Sequence, residues 1–311
     1  MRRSLFCCVV LVVAAGVSAA RAELEYRVVD GVGDVPLKIV TAGDAANPAL
    51  LFIHGLAQSH YAFHHQLESG LAEDYYLISF DLRGHGASAK PWGNEAYGSS
   101  AVWAGDVAAV LAATGARRPL LVAWSYGTLV ALDYLRETGA ENIAGLLLTG
   151  AVGALVPFRA ADTDEALREE FMRVRQQQLS DDPRDQVAAL DRMVDWLTGT
   201  PLASDERDRM RVTAAMFPAY ARRAIYARPL DNRDLLPVVS GLPVLIALGS
   251  EDNAALVEDA AILAADHAAM DYSLYEGSGH SVFLEQPDRF NRELRSFADA
   301  VFARAAAAQP E

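Results

Sequence analysis

The fold of this chain is decided by the stretch Leu120-Leu121-Val122-Ala123-Trp124-Ser125-Tyr126-Gly127-Thr128-Leu129-Val130. An apolar, strand-like run ends at Ser125, and the apolar residues after it recur at helical spacing. The serine is therefore expected at a strand-to-helix corner, which holds a hydroxyl above the sheet edge and points the first free N–H groups of the helix towards it. This pattern indicates a nucleophilic serine, although serine also caps helices after buried strands.

Small residues are needed two positions before and two positions after such a serine, because strand and helix backbones nearly touch there. Ala123 and Gly127 meet this requirement. The usual pattern has glycine at both positions and often a further small residue where this chain has Thr128. The corner therefore departs from the pattern at Ala123 and Thr128 without losing its chemistry.

Residues 1–22 have the features of a secretory leader. Two arginines precede an apolar run over residues 5–17, and Ala20-Arg21-Ala22 is a small-x-small cleavage pattern. We expect cleavage before Glu23 and an exported bacterial protein, periplasmic or secreted. The ordinary secretory route and the twin-arginine route both remain open. Both cysteines lie in this leader, so the mature chain is expected to have no disulfide and no thiol nucleophile.

Composition limits the partners of the mature chain. The net charge is −14, and removal of residues 1–22 takes away three arginines and changes it to −17. Nucleic acid and anionic membrane surfaces are poor partners for such a chain. The apolar run of the leader is too short for a stable membrane anchor, and no other segment approaches the ~20 apolar residues that a span needs.

Strands alternate with helices along most of the chain. The pattern predicts a hairpin over residues 24–40, helices over residues 62–70 and 99–114, and a closing helix over residues 287–302 with a frayed tail after it. Buried strands are predicted at residues 48–53, 75–80, 120–124, 143–148 and 242–248. This alternation predicts an α/β fold with a mostly parallel sheet flanked by helices.

Motifs at the ends of these strands resemble those of the α/β-hydrolase family, especially its non-haem haloperoxidase-like and carboxylesterase branch. His54-Gly55 follows one strand, residues 81–86 read Asp-Leu-Arg-Gly-His-Gly after the next, and Ser125 lies at the corner. The resemblance implies that the acid is Asp252, in Gly-x-x-Asp after a late strand, and that the histidine is His280. The order Ser, Asp, His is the one that this fold requires.

The chemistry of these side chains fits the implied roles. His280 can take the proton of Ser125 and return it to a leaving group, while Asp252 fixes the imidazole. The resemblance implies an oxyanion hole made of the backbone N–H groups of Leu56 and Tyr126. Glu251 is an alternative acid, and Asp252 is alternatively a helix cap before residues 253–255.

The other histidines are given no catalytic role. His54 is expected to orient the oxyanion turn, and His85 to be structural. His60 and His64 are four residues apart, as helical metal ligands are, but no third ligand has a suitable spacing, and His65 is assigned to packing or solvent. No metal and no cofactor is predicted, and there is no phosphate loop or dinucleotide motif.

The organisation predicted is a leader (1–22), a hydrolase core in two parts (23–154 and 238–311) and a helical lid inserted between them (155–237). Helices are expected at residues 164–179, 185–197 and 205–216 of the lid. Candidates for an apolar pocket wall are Met172, Met193, Trp196, Met210, Met216 and Phe217.

The resemblance implies a serine hydrolase that cleaves a small to medium, mostly apolar carboxylic ester through an acyl-enzyme. Perhydrolysis with peroxide and carbon–carbon bond hydrolysis use the same triad and are alternatives. A non-catalytic ligand receptor is an alternative of another class. The partner expected is a small-molecule ester, and the sequence does not determine the oligomeric state.

Overall fold

A computed structural model describes residues 22–157 and 165–307. Almost all of the predicted leader and the last four residues of the predicted tail therefore lie outside the described residues. Eight strands form one sheet: β1 (Glu25–Gly31), β2 (Val35–Ala42), β3 (Ala49–Ile53), β4 (Tyr76–Phe80), β5 (Leu120–Trp124), β6 (Gly145–Thr149), β7 (Val244–Gly249) and β8 (Met270–Tyr275).

The strand order is β1-β2-β4-β3-β5-β6-β7-β8. β1, β2 and β4 pair antiparallel, and every later pair in the sheet is parallel. The carboxyl ends of β3 and β5 to β8 therefore lie at the same edge, where the predicted site residues follow their strands. The predicted α/β-hydrolase fold, with a mostly parallel sheet, is confirmed.

The described residues also form eight longer helices: α1 (Ser100–Thr114), α2 (Tyr126–Thr138), α3 (Glu165–Leu179), α4 (Pro183–Asp195), α5 (Ser204–Ala215), α6 (Ala219–Tyr226), α7 (Ala254–Ala265) and α8 (Pro287–Ala307). Short helical turns lie at His60–Phe63, His64–Leu67, Gly70–Glu73, Asn94–Ala96, Ala140–Asn142, Arg233–Leu235, Leu236–Val239 and Val282–Glu285. Within the described part of the chain, no helix is both long and apolar enough to cross a membrane.

Side chains of the central strands point alternately to two apolar layers. Leu51 and Ile53 of β3 belong to one buried cluster, which includes residues of α1 and α2. Leu50 and Phe52 belong to the other, which includes residues of α8. Both layers are buried, which explains why the parallel strands have continuous apolar sequences.

Two helix predictions were wrong, one in the existence of the helix and one in its end. The helix expected at residues 62–70 is replaced by three short turns, because the Ser59 and Ser69 side chains accept hydrogen bonds from backbone N–H groups and start new turns. The helix expected to end at residue 302 continues to Ala307, so residues 303–307 are not a frayed tail.

Helices α3 to α6 form the insertion between β6 and β7, which we call the helical insertion (residues 165–226). The three helices predicted there lie within two residues of α3, α4 and α5, and the structure adds α6. Met210 and Phe217 are buried, whereas Met172 and Met216 are 57% and 44% exposed. The insertion as a lid, with bounds 155–237, stays a prediction.

Candidate active site

Ser125 lies between β5 and α2 with φ 53° and ψ −118°. A residue other than glycine in such a left-handed conformation costs about 1–3 kcal/mol and persists only when its neighbours hold it. The Ser125 N–H donates to the Thr149 carbonyl at 2.9 Å, and Thr128 Oγ1 donates to the Ser125 carbonyl at 2.6 Å. The threonine that departs from the usual pattern therefore holds the corner.

Backbones approach closely around the serine, as the sequence predicts. A Cβ on Gly127 would lie 2.1 Å from the Ile53 carbonyl oxygen, so this position requires glycine. A Cβ on Gly55 would lie 3.0 Å from the Ser125 Cβ. The turn after β3, which contains Leu56, therefore packs directly against the serine.

The structure brings Ser125, His280 and Asp252 together. His280 Nε2 lies 2.9 Å from Ser125 Oγ, and His280 Nδ1 lies 2.9 Å from Asp252 Oδ2. These distances are within hydrogen-bond range at both ends of the imidazole. Their geometry is that of a nucleophile, a base and an orienting acid.

Asp252, and not Glu251, faces the histidine. Glu251 is exposed, and its Oε1 accepts a hydrogen bond from Ser250 Oγ at 3.1 Å. The cap of α7 is Asn253, whose Oδ1 accepts from two backbone N–H groups of the first turn. Both open alternatives, Glu251 as the acid and Asp252 as the cap, are therefore wrong.

The pair His280 and Asp252 is electrostatically coupled. Burial alone would lower the pKa of His280, but the charge and hydrogen bond of Asp252 outweigh it and raise that pKa above the ordinary 6.5. Burial alone would raise the pKa of Asp252, but the charge and hydrogen bond of His280 and the Asn253 N–H lower it overall. The carboxylate therefore favours an imidazolium, which the base becomes after it takes a proton.

The loop that carries His280 is held from two sides. Trp124 Nε1 donates to the His280 carbonyl at 2.9 Å. Glu285 Oε1 accepts from the Gly279 N–H at 2.8 Å, and Glu285 Oε2 accepts from the N–H groups of Gly199 (2.8 Å) and Thr200 (3.1 Å). Glu285 thus joins the histidine loop to the helical insertion, a role that no motif in the sequence indicated.

His54 contacts the turn that contains Gly55 and Leu56, which the sequence predicts to form part of an oxyanion hole. Its Nε2 accepts from the Leu82 N–H at 2.9 Å, so the proton is on Nδ1, which donates to the Gly55 carbonyl at 2.7 Å. Burial lowers the pKa of His54 to about 4, which keeps the ring neutral. The neutral ring therefore fixes the peptide that precedes Leu56.

Tyr126 is held by an ion pair that sequence reasoning missed. Arg228 Nη1 donates to the Tyr126 hydroxyl at 2.6 Å, and Arg228 Nη2 lies 2.8 Å from both oxygens of Asp133. All three side chains are buried. Arg228 and Asp133 also border a cavity of about 780 Å³ whose lining does not include the triad. The partners are 95 and 102 residues apart in sequence, so no local pattern reveals them.

The remaining histidines have other environments. His85 is buried and stacks on Phe217 at 4.0 Å between ring centroids. His60 Nδ1 lies 2.6 Å from Asp81, so His60 and His64 do not act as a ligand pair. Instead His64 and His65 face Glu206 of α5, and this is the group of described residues whose ligand atoms could hold a metal.

The fold, together with a serine at a strand-to-helix corner in contact with a histidine and an aspartate, is typical of a hydrolase. The model of the Alpha/beta hydrolase family matches residues 50–293, so the chain belongs to that family. The resemblance predicted from the motifs is confirmed.

Relatives place the chain among hydrolases. It is 24% identical over 261 residues to the AB hydrolase superfamily protein YisY of Bacillus subtilis, covering 81% of this chain and 91% of that protein. It is 33% identical over 133 residues to Epoxide hydrolase A of Mycobacterium tuberculosis, which is 42% of this chain and 41% of that protein.

Solved structures share the whole fold. A candidate aryl esterase from Burkholderia cenocepacia is 28% identical with a TM-score of 0.79, covering 90% of this chain and 100% of that one. The esterase RhEst1 from Rhodococcus is 30% identical with a TM-score of 0.75, covering 89% and 99%. A bromoperoxidase from Bacillus anthracis, 20% identical with a TM-score of 0.70 and coverage of 88% and 100%, shares the fold.

Proposed function

We propose that this protein is an exported serine hydrolase that cleaves small to medium, mostly apolar carboxylic esters through an acyl-enzyme. The observation that carries the proposal is the unbroken chain of Ser125, His280 and Asp252, with 2.9 Å at each step. The esterases among the similar structures support an ester as the substrate.

The geometry supports the following steps for this reaction. His280 Nε2 takes the proton as Ser125 Oγ attacks the ester carbonyl, and then gives it to the leaving alcohol. The N–H of Tyr126 is the first of α2 and has no carbonyl within the helix, so it is available to the oxyanion together with that of Leu56. Water attacks the acyl-enzyme by the same route, and the acid and Ser125 are released.

A fluorophosphonate probe tests the nucleophile. The wild-type protein should be labelled, and Ser125→Ala should not be. Ser204→Ala, which removes an exposed hydroxyl from α5, is the control and should be labelled like the wild type. Equal labelling of Ser125→Ala and wild type would refute the proposal.

Substrate assays separate the reactions that share this triad. Aryl esters from acetate to laurate should be hydrolysed, with a preference for short or medium acyl chains. Peroxide-dependent halogenation that exceeds ester hydrolysis would favour the perhydrolase alternative, and cleavage of a diketone would favour carbon–carbon hydrolysis. Saturable ligand binding without any turnover would favour a receptor.

Export is a separate part of the proposal, supported by the pattern of residues 1–22. The protein expressed in a bacterial host should be found outside the cytoplasm, with a mature N-terminus at Glu23. An intact residue 1 on all of the protein, together with a cytoplasmic location, would contradict it.

A further inference from the structure

Two histidines and a glutamate from distant parts of the chain converge away from the triad. His64 and His65 lie in the short helix His64–Leu67, and Glu206 lies in the first turn of α5. Glu206 Oε1 is 3.6 Å from His64 Nε2 and 3.5 Å from His65 Nε2. The three candidate ligand atoms all lie within 4.8 Å of one another.

These separations are longer than a hydrogen bond, for which N to O distances of about 2.7–3.2 Å are typical. Zn²⁺ binds nitrogen and oxygen at about 2.0–2.2 Å, and two ligands at a tetrahedral angle are therefore roughly 3.4 Å apart. The measured 3.5 and 3.6 Å match this spacing. Glu206 Oε1 is also buried without a hydrogen-bond partner among the described residues.

His64 is prepared to act as a ligand. Its Nδ1 lies 3.0 Å from the Tyr61 carbonyl, which can only accept, so the neutral ring has its proton on Nδ1 and a lone pair on Nε2. A backbone carbonyl in this position is the usual support of a metal-bound histidine. Tyr61 also stacks on the His64 ring at 4.6 Å.

Charged neighbours of both signs surround the group. Asp205 shares the first turn of α5 with Glu206, and the charge of Glu68 acts on His64. Arg209 is the opposing cation, and it lies over the Tyr61 ring, 5.2 Å from its centroid. The ligand set of two imidazoles and one carboxylate suits Zn²⁺ better than Mg²⁺, which prefers oxygen ligands.

We propose that His64, His65 and Glu206 bind one Zn²⁺-type dication that joins the helical insertion to the hydrolase core. Both histidines belong to the core and the glutamate to α5, so the ion ties α5 in place. Three protein ligands leave one coordination position for water. The site shares no residue with the triad.

Isothermal titration of tag-free, chelator-treated protein with ZnCl₂ tests this site. We expect one equivalent of Zn²⁺ to bind and the melting temperature to rise with it. Glu206→Gln and His65→Ala each remove a direct ligand. Each should weaken Zn²⁺ binding by more than roughly 100-fold, because loss of a group that only hydrogen-bonds to a ligand already costs about 10- to 100-fold. Circular dichroism should show that both variants remain folded.

His267→Ala is the matched control. His267 is another half-buried histidine, and its Nδ1 lies 2.8 Å from the backbone carbonyl of Leu263 in α7. It should bind Zn²⁺ like the wild type. Three results would overturn the proposal: no saturable Zn²⁺ binding, unchanged affinity in folded Glu206→Gln, or Mg²⁺ binding as tight as that of Zn²⁺.

Discussion

Replacing Arg228 by methionine should strongly destabilise the protein. Arg228 donates to both oxygens of Asp133 at 2.8 Å and to the Tyr126 hydroxyl at 2.6 Å, and all three side chains are buried. Methionine has similar length but no charge, so the Asp133 carboxylate would be left buried and unpaired. Breaking a buried ion pair in this way costs about 3–5 kcal/mol.

Thermal and urea unfolding measure this loss. At about 2–4 °C per kcal/mol, Arg228→Met should lower the melting temperature by roughly 6–20 °C. Arg136→Met is the matched control, because Arg136 lies one turn after Asp133 on α2 and forms an ion pair near the surface. The Arg136 side chain is 31% exposed, and that of its partner Asp234 is 60% exposed. Loss of a surface pair costs about 0–1 kcal/mol.

The double variant Asp133→Leu with Arg228→Met separates an unpaired charge from lost packing. It removes both partners, so it should be more stable than Arg228→Met alone. The reasoning is wrong if the free energies of unfolding of Arg228→Met and Arg136→Met differ by less than about 1 kcal/mol. It is also wrong if the double variant is less stable than Arg228→Met.

The loss of stability caused by Arg228→Met should also depend on pH. Burial raises the pKa of Asp133 above 3.8 even with Arg228 present, and loss of the guanidinium raises it further. A carboxyl group with a raised pKa in the folded state costs stability when ionised, above that pKa. The loss of stability should therefore be complete above the folded-state pKa of Asp133 and should shrink as the pH falls through that pKa.

Four further predictions concern the site. The acid side of the kcat/KM profile should have an apparent pKa above 6.5, because His280 must be neutral and its pKa is raised, and Asp252→Asn should lower kcat by about 10³–10⁴-fold. Glu285→Gln should lower kcat by up to about 10²-fold through displacement of His280, whereas Glu276→Gln, which removes an exposed charge from the same loop, should not. Gly127→Ala should destabilise by about 1–3 kcal/mol in urea unfolding, since the new methyl would lie 2.1 Å from a carbonyl oxygen.

The meeting of the three candidate site residues could be predicted because each follows a strand within a local motif. Parallel strands bring their carboxyl ends to the same edge of the sheet. The proximity of Ser125, Asp252 and His280 could therefore be predicted without knowledge of long-range packing. The helices of the insertion were also predictable from their amphipathic patterns, to within two residues.

Contacts between distant side chains could not be predicted in this way. Glu285 reaches Gly199 across 86 residues, and Arg228 reaches Tyr126 across 102. The four-residue spacing of His60 and His64 gives no sign of their actual partners, because the turn His60–Phe63 directs His60 to Asp81. Such partners depend on how elements pack, and no sequence period encodes that.

The hydrogen bonds of Glu285 connect the helical insertion with the loop of His280, so they would couple ligand entry to the alignment of this residue if the insertion acts as the proposed lid. Any displacement of Gly199 and Thr200 that admits a ligand separates their N–H groups from a carboxylate that also holds Gly279, the residue before His280. A ligand that displaces these two residues would therefore also loosen the loop that positions His280. We expect bulky esters that wedge the insertion apart to bind without being processed efficiently, so that selectivity would be expressed in kcat rather than in affinity.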